Sequence, residues 1–227
     1  MSRARQEYSM KTARINGTNH EYRIGKILCI GRNYAEHIRE MGNEVPNVPV
    51  IFMKPATAVI GDGGTIVIPH YSRDCHYEAE LALLIGKTGR NIPVESAYEY
   101  IAGYGVAIDL TLRDVQENLK KNGLPWDIAK GFDTACPLSC FAPVSEVKSP
   151  QNLHIRLSVN GVIRQDGSTS MMIHSIPAIV SRFSSIFTLE QGDIVLTGTP
   201  AGVGSIVSGD RLVAEIPGVA RLQVTVQ

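Results

Sequence analysis

The chain has 227 residues, 44% of them hydrophobic, and 22 basic side chains balance 22 acidic ones. That length and composition suit a globular domain with a substantial core and argue against disorder. Zero net charge removes any global pull toward nucleic acid or an anionic membrane, and no run approaches the roughly 18 apolar residues that span a bilayer.

The opening stretch MSRARQEYSMKTARING carries basic residues but no apolar segment, so it does not read as a secretory signal. Residues 1–25 are expected to form a polar N-terminal extension, with Met10 an alternative start, ahead of one domain over residues 26–227. KILCIG (residues 26–31) predicts a short strand closed by a glycine turn, and YAEHIREMG a short helix stopped at Gly42. VPNVP reads as loop, VIFMKP as a strand ending before Pro55, and TIVIP as a strand ending before Pro69. CHYEAELALLIG (residues 75–86) predicts a strand whose later part is core. VESAYEYIAG predicts a helix and YGVAIDL a strand. TLRDVQENLKKNG predicts a second helix, with Thr111 as N-cap, Asp114 as its acidic partner and Gly123 as its stop.

Beyond Pro125 the chain is mostly strand-like. LHIRLSVNGVIRQ predicts a hairpin turning at Asn160-Gly161. SIPAIVSRFSSIF places Ile176, Ile179, Val180, Phe183 and Phe187 at helical spacing, the mark of an amphipathic helix packed on a sheet. QGDIVLTG, SGDRLVAEI and ARLQVTV close the chain as strands. Few, short helices and no regular βαβ alternation favour a β-rich α+β fold. Cys29, Cys75, Cys136 and Cys140 include no C-x-x-C pair, which points to reduced thiols in a cytoplasmic protein.

Glu78 and Glu80 stand two apart, so on a strand both project to one face, with Ala82 and Leu84 continuing it inward. Paired carboxylates beside apolar surface repel each other and are costly to desolvate, a problem that a hard cation such as Mg²⁺ removes. The same spacing also suits a solvated strand edge. Asp109, at a strand-to-helix junction, adds a third acid and makes an oxygen-ligand metal site plausible; its other reading is a helix cap. His70 and His76 lack zinc-ligand spacing.

His37 and Glu40 lie three apart on one helix face. A carboxylate there orients an imidazole for general-base work, though the spacing equally suits an ordinary surface pair. Lys130, in IAKGFDT, holds an anionic or enolate oxygen on one reading and lies in solvent on the other. LTGTPAGVG lacks a phosphate-loop ending, but its N–H groups and the Thr199 hydroxyl suit a small carboxylate; a tight connection between strands is the alternative. No G-x-S-x-G and no Cys–His pair supports acyl-enzyme chemistry.

The blocks CIGRNYAEHIREMG, VIFMKP, HYEAELALLIG, GYGVAIDLTLRDVQ, LPWDIAKGFDTACPLS, VNGVIRQDGSTSMMI and GDIVLTGTPAGVG follow one another in this order. In that combination the chain closely resembles the fumarylacetoacetate hydrolase family, and within it the small acylpyruvate hydrolase and oxaloacetate decarboxylase branch, from about residue 26 to the C-terminus. The resemblance implies a mixed β-sandwich roll, a homodimer, and one Mg²⁺ or Mn²⁺ held by Glu78, Glu80 and Asp109. It implies His37 and Glu40 as a catalytic dyad on a mobile lid helix, with Lys130 completing the centre. Arg32, Asn33, Tyr34, Gln116 and Thr199 fall in blocks that line the substrate pocket.

The implied reaction is hydrolysis of the C–C bond of an acylpyruvate to pyruvate and a carboxylic acid, by way of an enolate. Oxaloacetate decarboxylation or tautomerisation, and isomerisation of 2-hydroxyhepta-2,4-diene-1,7-dioate, are alternatives for the same site. A non-catalytic oxo-acid binding protein is the alternative from another class. In each case the partner is a small 2-oxo acid, not nucleic acid or a membrane.

Overall fold

The apolar runs of the sequence become the middle of a six-stranded sheet. The computed structural model describes residues 10–42 and 48–227; most of the VPNVP loop and residues 1–9 of the N-terminal extension lie outside them. Ala79–Ile85 is buried at every position, as a strand covered on both faces must be. It pairs antiparallel with Ile101–Ile108 on one side and Ile194–Leu196 on the other. Ile27–Gly31 then joins Ile194–Leu196 in parallel, Val50–Lys54 follows it, and Ala142–Pro143 closes the opposite edge.

A five-stranded sheet runs in the order Val162–Ser168, His154–Val159, Arg211–Ile216, Ala220–Val226, Thr65–Ile66. Its three central strands pack on Ala79–Ile85 and Ile101–Ile108. Alternation turns Ile155, Leu157 and Val159 inward from His154–Val159, giving the apolar face that two stacked sheets share. The hairpin turns at Asn160-Gly161 as predicted, with φ of +51° and +80° at its two central residues, the geometry of a type I′ turn. A three-stranded sheet joins Cys75–Tyr77 to Thr111–Leu112 and Gly204–Ile206. It draws together the segments that carry Glu78, Asp109 and Thr199.

Among the described residues there are four α-helices: α1 (Ala35–Glu40), α2 (Arg113–Lys121), α3 (Asp127–Lys130) and α4 (Ile176–Ile186). None is long and apolar enough to cross a membrane. The N-cap of α4 is Ser175, whose hydroxyl accepts from the Ala178 N–H, and Pro177 sits in its first turn. Ile176, Ile179, Val180 and Phe183 are buried as their spacing predicts, and Phe187 is partly buried. Their main partner is the 3₁₀ turn Val94–Tyr100 rather than a sheet.

Two local expectations are corrected. VESAYEYIAG does not form an α-helix: Val94–Tyr100 is 3₁₀, and Ile101 already belongs to the strand. Pairing with Ala79–Ile85 claims the end of that segment and leaves too few residues for a stable α-helix. Thr111 does not cap α2 either, because it is paired in a short strand with His76. The cap position is Leu112, and the Asp114 carboxylate accepts from the Ser72 hydroxyl and the Arg73 N–H instead. Within the N-terminal segment, Thr12–Arg14 pairs with Glu21–Arg23, and Ala13 and Ile15 reach the core. All four cysteines are free thiols, and Cys140 alone is exposed.

Candidate active site

A break between two strands sets the acids. Cys75–Tyr77 ends and Ala79–Ile85 begins on either side of Glu78. Asp109 follows Ile101–Ile108, and its N–H donates to the Glu78 carbonyl at 2.7 Å. Glu78, Glu80 and Asp109 are only 6%, 2% and 1% exposed. One carboxylate oxygen from each lies within 4.8 Å of the others. The E-x-E pair is therefore not a solvated edge.

Three buried carboxylates demand compensation. Lys130 Nζ donates to Glu78 Oε2 at 2.9 Å and to Asp109 Oδ2 at 2.7 Å, and Arg113 Nη2 donates to Glu78 Oε1 at 2.6 Å. Lys54 Nζ stands 2.8 Å from Asp109 Oδ1 but spends its hydrogen bonds on the carbonyls of Leu110 and Lys130. Asp109 Oδ1 is thus near a cation yet has no hydrogen bond. Glu80 is held differently. Its Oε2 accepts from the Gly198 N–H at 2.6 Å, and no ion pair reaches it among the described residues.

These surroundings push the two glutamates apart. Burial raises both, but at Glu78 it is outweighed by Lys130 and Arg113, which hold the carboxyl well below the usual range. At Glu80 burial is reinforced by the charges of Asp109 and Glu78, and its pKa lies well above the ordinary value. Burial alone would lower Lys130, yet Asp109 and Glu78 hold it above its ordinary value. The donor set fits a hard divalent cation: three carboxylates, an Asp109 oxygen without a hydrogen bond and a Glu80 without a cationic partner.

A cavity opens over the acids, walled by Arg32, His37, Gln116, Lys130 and Thr199. Phe52, Arg113, Lys120 and Trp126 also line it. His37 reaches it from α1. Burial lowers its pKa, an effect that Glu78 and Glu40 only partly offset, so the imidazole is neutral near pH 7. Glu40 Oε2 lies 3.5 Å from His37 Nδ1, within ion-pair range, but Nδ1 makes no hydrogen bond. Both Glu40 oxygens instead accept from the Gly202 N–H at 3.1 Å, tying α1 to the glycine-rich loop. Gly202 has φ +95°, and a Cβ there would stand 2.1 Å from the Arg164 carbonyl, so this anchor requires glycine.

Gln116 is buried and accepts from Arg113 Nη1 at 2.8 Å. The Thr199 hydroxyl donates to the Ala79 carbonyl and accepts from Gln165, which leaves it no proton for a ligand. Asn33 and Tyr34 lie outside the cavity wall. The Asn33 side chain bonds the backbone of His174 and Thr197. Tyr34 is buried with its hydroxyl unbonded.

Three polar residues that the sequence did not flag support the centre: Lys54, Arg113 and Gln165. Gln165 is fully buried; its Oε1 accepts from the Ala79 N–H at 2.9 Å, and its Nε2 donates to Thr199 Oγ1 and the Pro200 carbonyl. It fastens the peptide between the two glutamates to the glycine-rich loop.

The chain matches the family described as Fumarylacetoacetate (FAA) hydrolase C-terminal over residues 26–227. It is 51% identical over 199 residues to the Escherichia coli protein named Oxaloacetate tautomerase YcgM, covering 87% of this chain and 91% of that one. It is 49% identical over 201 residues to the mouse (Mus musculus) protein named Oxaloacetate tautomerase FAHD1, mitochondrial, covering 88% and 91%. The crystal structure of fumarylpyruvate hydrolase from Pseudomonas aeruginosa in complex with Mn²⁺ and pyruvate superposes with a TM-score of 0.92 at 38% identity, covering 96% and 95%.

Proposed function

Because the chain belongs to the fumarylacetoacetate hydrolase family, we propose that it is a divalent-cation-dependent enzyme of small 2-oxo acids. Its two reactions on this reading are oxaloacetate keto–enol tautomerisation and acylpyruvate hydrolysis, which share the formation of an enolate. The observation that carries the reading is the buried triad Glu78, Glu80 and Asp109, set in one cavity with Lys130 and a neutral His37.

Mg²⁺ or Mn²⁺ held by the three carboxylates supplies Lewis-acid stabilisation of negative charge developing on the 2-oxo group. Lys130 and Arg113, fixed by their carboxylate partners, add positive potential at the same place. In tautomerisation His37 takes a proton from the carbon beside the 2-oxo group, and the enolate oxygen is then protonated. In hydrolysis His37 takes a proton from water, whose oxygen adds to the distal carbonyl. The C–C bond then breaks, giving a carboxylic acid and the enolate of pyruvate, which picks up a proton to become pyruvate. Glu40, 3.5 Å from Nδ1, stabilises the imidazolium in either case.

The names of the two relatives put tautomerisation first. Hydrolysis is the second reading, favoured by an apolar groove of about 340 Å³ that adjoins Lys130 and is lined by Val50, Met53, Leu124 and Phe187, suited to an acyl chain. The test is to follow enol-oxaloacetate absorbance and pyruvate release from acetylpyruvate, with Mg²⁺, with Mn²⁺ and after chelation. Turnover that vanishes on chelation and returns with either cation is expected. Cation-independent turnover, or none of either substrate by folded protein that binds the cation, overturns the proposal.

A further inference from the structure

Four cationic side chains, Arg32, Arg113, Lys120 and Lys130, share the cavity wall with three carboxylates. Arg113 and Lys130 are ion-paired to those carboxylates. Lys120, in the last turn of α2, has no carboxylate within ion-pair distance among the described residues. Its ammonium instead stands 5.2 Å from the centre of the Trp126 ring. Trp126 leans on Phe52 with ring centres 6.0 Å apart, and Lys130 Nζ lies 4.7 Å over Phe52. One aromatic wall therefore carries a cation at each end: Lys130 at the acids and Lys120 at the end of α2.

The wall is short of negative charge at the Lys120 end. Burial lowers the pKa of Lys120, and Arg113, Arg32 and Lys130 lower it further, so its charge is held at a cost that an anion would relieve. A divalent cation on the three carboxylates adds two positive charges to the wall that Lys120 and Lys130 already line. A substrate with one carboxylate leaves a larger excess than one with two. The flat faces of Phe52 and Trp126 suit the planar chain of an enol between its two ends.

Resting on the reading of this site as a 2-oxo acid centre, we infer that Lys120, braced on Trp126, anchors a second carboxylate at the far end of the substrate. It makes 2-oxo dicarboxylates the preferred class over 2-oxo acids with an uncharged end. The residue acts on binding, not on the proton transfers.

The test pairs binding with turnover in the Mg²⁺-loaded full chain. Calorimetric affinities are measured for 2-oxoglutarate and 2-oxopentanoate, which differ by a carboxylate in place of a methyl group. Wild type is expected to prefer 2-oxoglutarate by about tenfold, the scale of a charge-assisted contact at a partly exposed site. Lys120→Met should erase that preference by weakening 2-oxoglutarate alone, and Lys120→Arg should restore it. With oxaloacetate, Lys120→Met should raise KM about tenfold with kcat within about twofold, a larger change in KM than acetylpyruvate shows. An unchanged preference in Lys120→Met, or equal weakening of both acids, overturns the assignment of Lys120 and leaves the 2-oxo acid reading standing. Failure of wild type to bind either acid overturns both.

Discussion

Replacing Lys54 by methionine removes a charge that the fold buries almost completely, at 1% exposure. Methionine keeps the length of the stem, but the carbonyls of Leu110 and Lys130 lose a donor, and among the described residues Asp109 keeps Lys130 as its one ion-pair partner. Breaking a buried pair costs about 3–5 kcal/mol, and the remaining partner places this case at the lower end, about 3 kcal/mol. At about 2–4 °C per kcal/mol for a domain of this size, the cation-free protein should melt about 6–12 °C lower. Cation affinity should move the other way. Lys54 Nζ is 2.8 Å from Asp109 Oδ1, so a divalent ion bound through Asp109 comes within about 5 Å of the ammonium. Their repulsion is about 2 kcal/mol at the dielectric of water and about 7 kcal/mol at an effective value of 20. Even the smaller figure predicts binding more than about tenfold tighter in the variant. Thermal unfolding without cation and Mn²⁺ titration calorimetry measure the two effects. A melting change below about 2 °C, or weaker Mn²⁺ binding, would refute the role of Lys54 as a counterweight to the acids.

Glu80→Gln removes the carboxylate with the raised pKa while its amide oxygen still accepts from Gly198. Without cation the variant should melt at or above wild type, and its Mn²⁺ affinity should fall more than about tenfold; a destabilised variant with intact affinity would contradict the ligand assignment. Burial lowers the proton affinity of His37, so the base stays neutral as pH falls and is lost only when the imidazole charges. The acid limb of kcat/KM for acetylpyruvate should therefore lie below about pH 6.5, the ordinary histidine value; a limb above it would point to another base. His37→Gln should lose at least about 100-fold in that reaction and bind Mn²⁺ within about twofold of wild type. Gln165→Leu leaves the Ala79 N–H without a partner and frees Thr199 and Pro200. It should cost about 2–4 kcal/mol, or about 4–16 °C in melting temperature, and a shift under about 2 °C would show the link to be dispensable.

The residues legible in the sequence are those whose chemistry is local. Glu78 and Glu80 share a short stretch, His37 and Glu40 share one helix, and each pairing is visible as spacing. What supports them is not local. Lys54 ends an apolar strand before Pro55 and looks like a lysine reaching water. Its partners lie 56 and 76 residues further on, and only closure of the sheet over them buries it. Gln165 sits in a hairpin strand whose neighbours Arg164 and Asp166 are exposed, so nothing in VIRQDGS singles it out. A bulge in its own strand, where Leu157 pairs with Gln165 and Ser158 with Ile163 so that Arg164 is the extra residue, accompanies its burial beside the glutamates. The missed caps have the same origin. Thr111 has a capping residue's chemistry, but strand pairing to His76 takes its backbone first.

The unequal treatment of the two glutamates follows from the same placement. Glu78 faces Lys130 and Arg113, so the fold pays for its charge in advance and keeps it ionised. Asp109 is ion-paired to Lys130 and Lys54. Among the described residues Glu80 accepts from one backbone N–H and has no ion pair, and its neighbours Asp109 and Glu78 oppose its ionisation. If all three acids were matched by side-chain cations, an added divalent ion would have to break an ion pair for every ligand it gained. If none were matched, the folded protein would carry three desolvated charges and would protonate them instead. On the proposed reading, two compensated acids beside one uncompensated acid let the centre fold without a cation and still give it a free-energy reason to take one up.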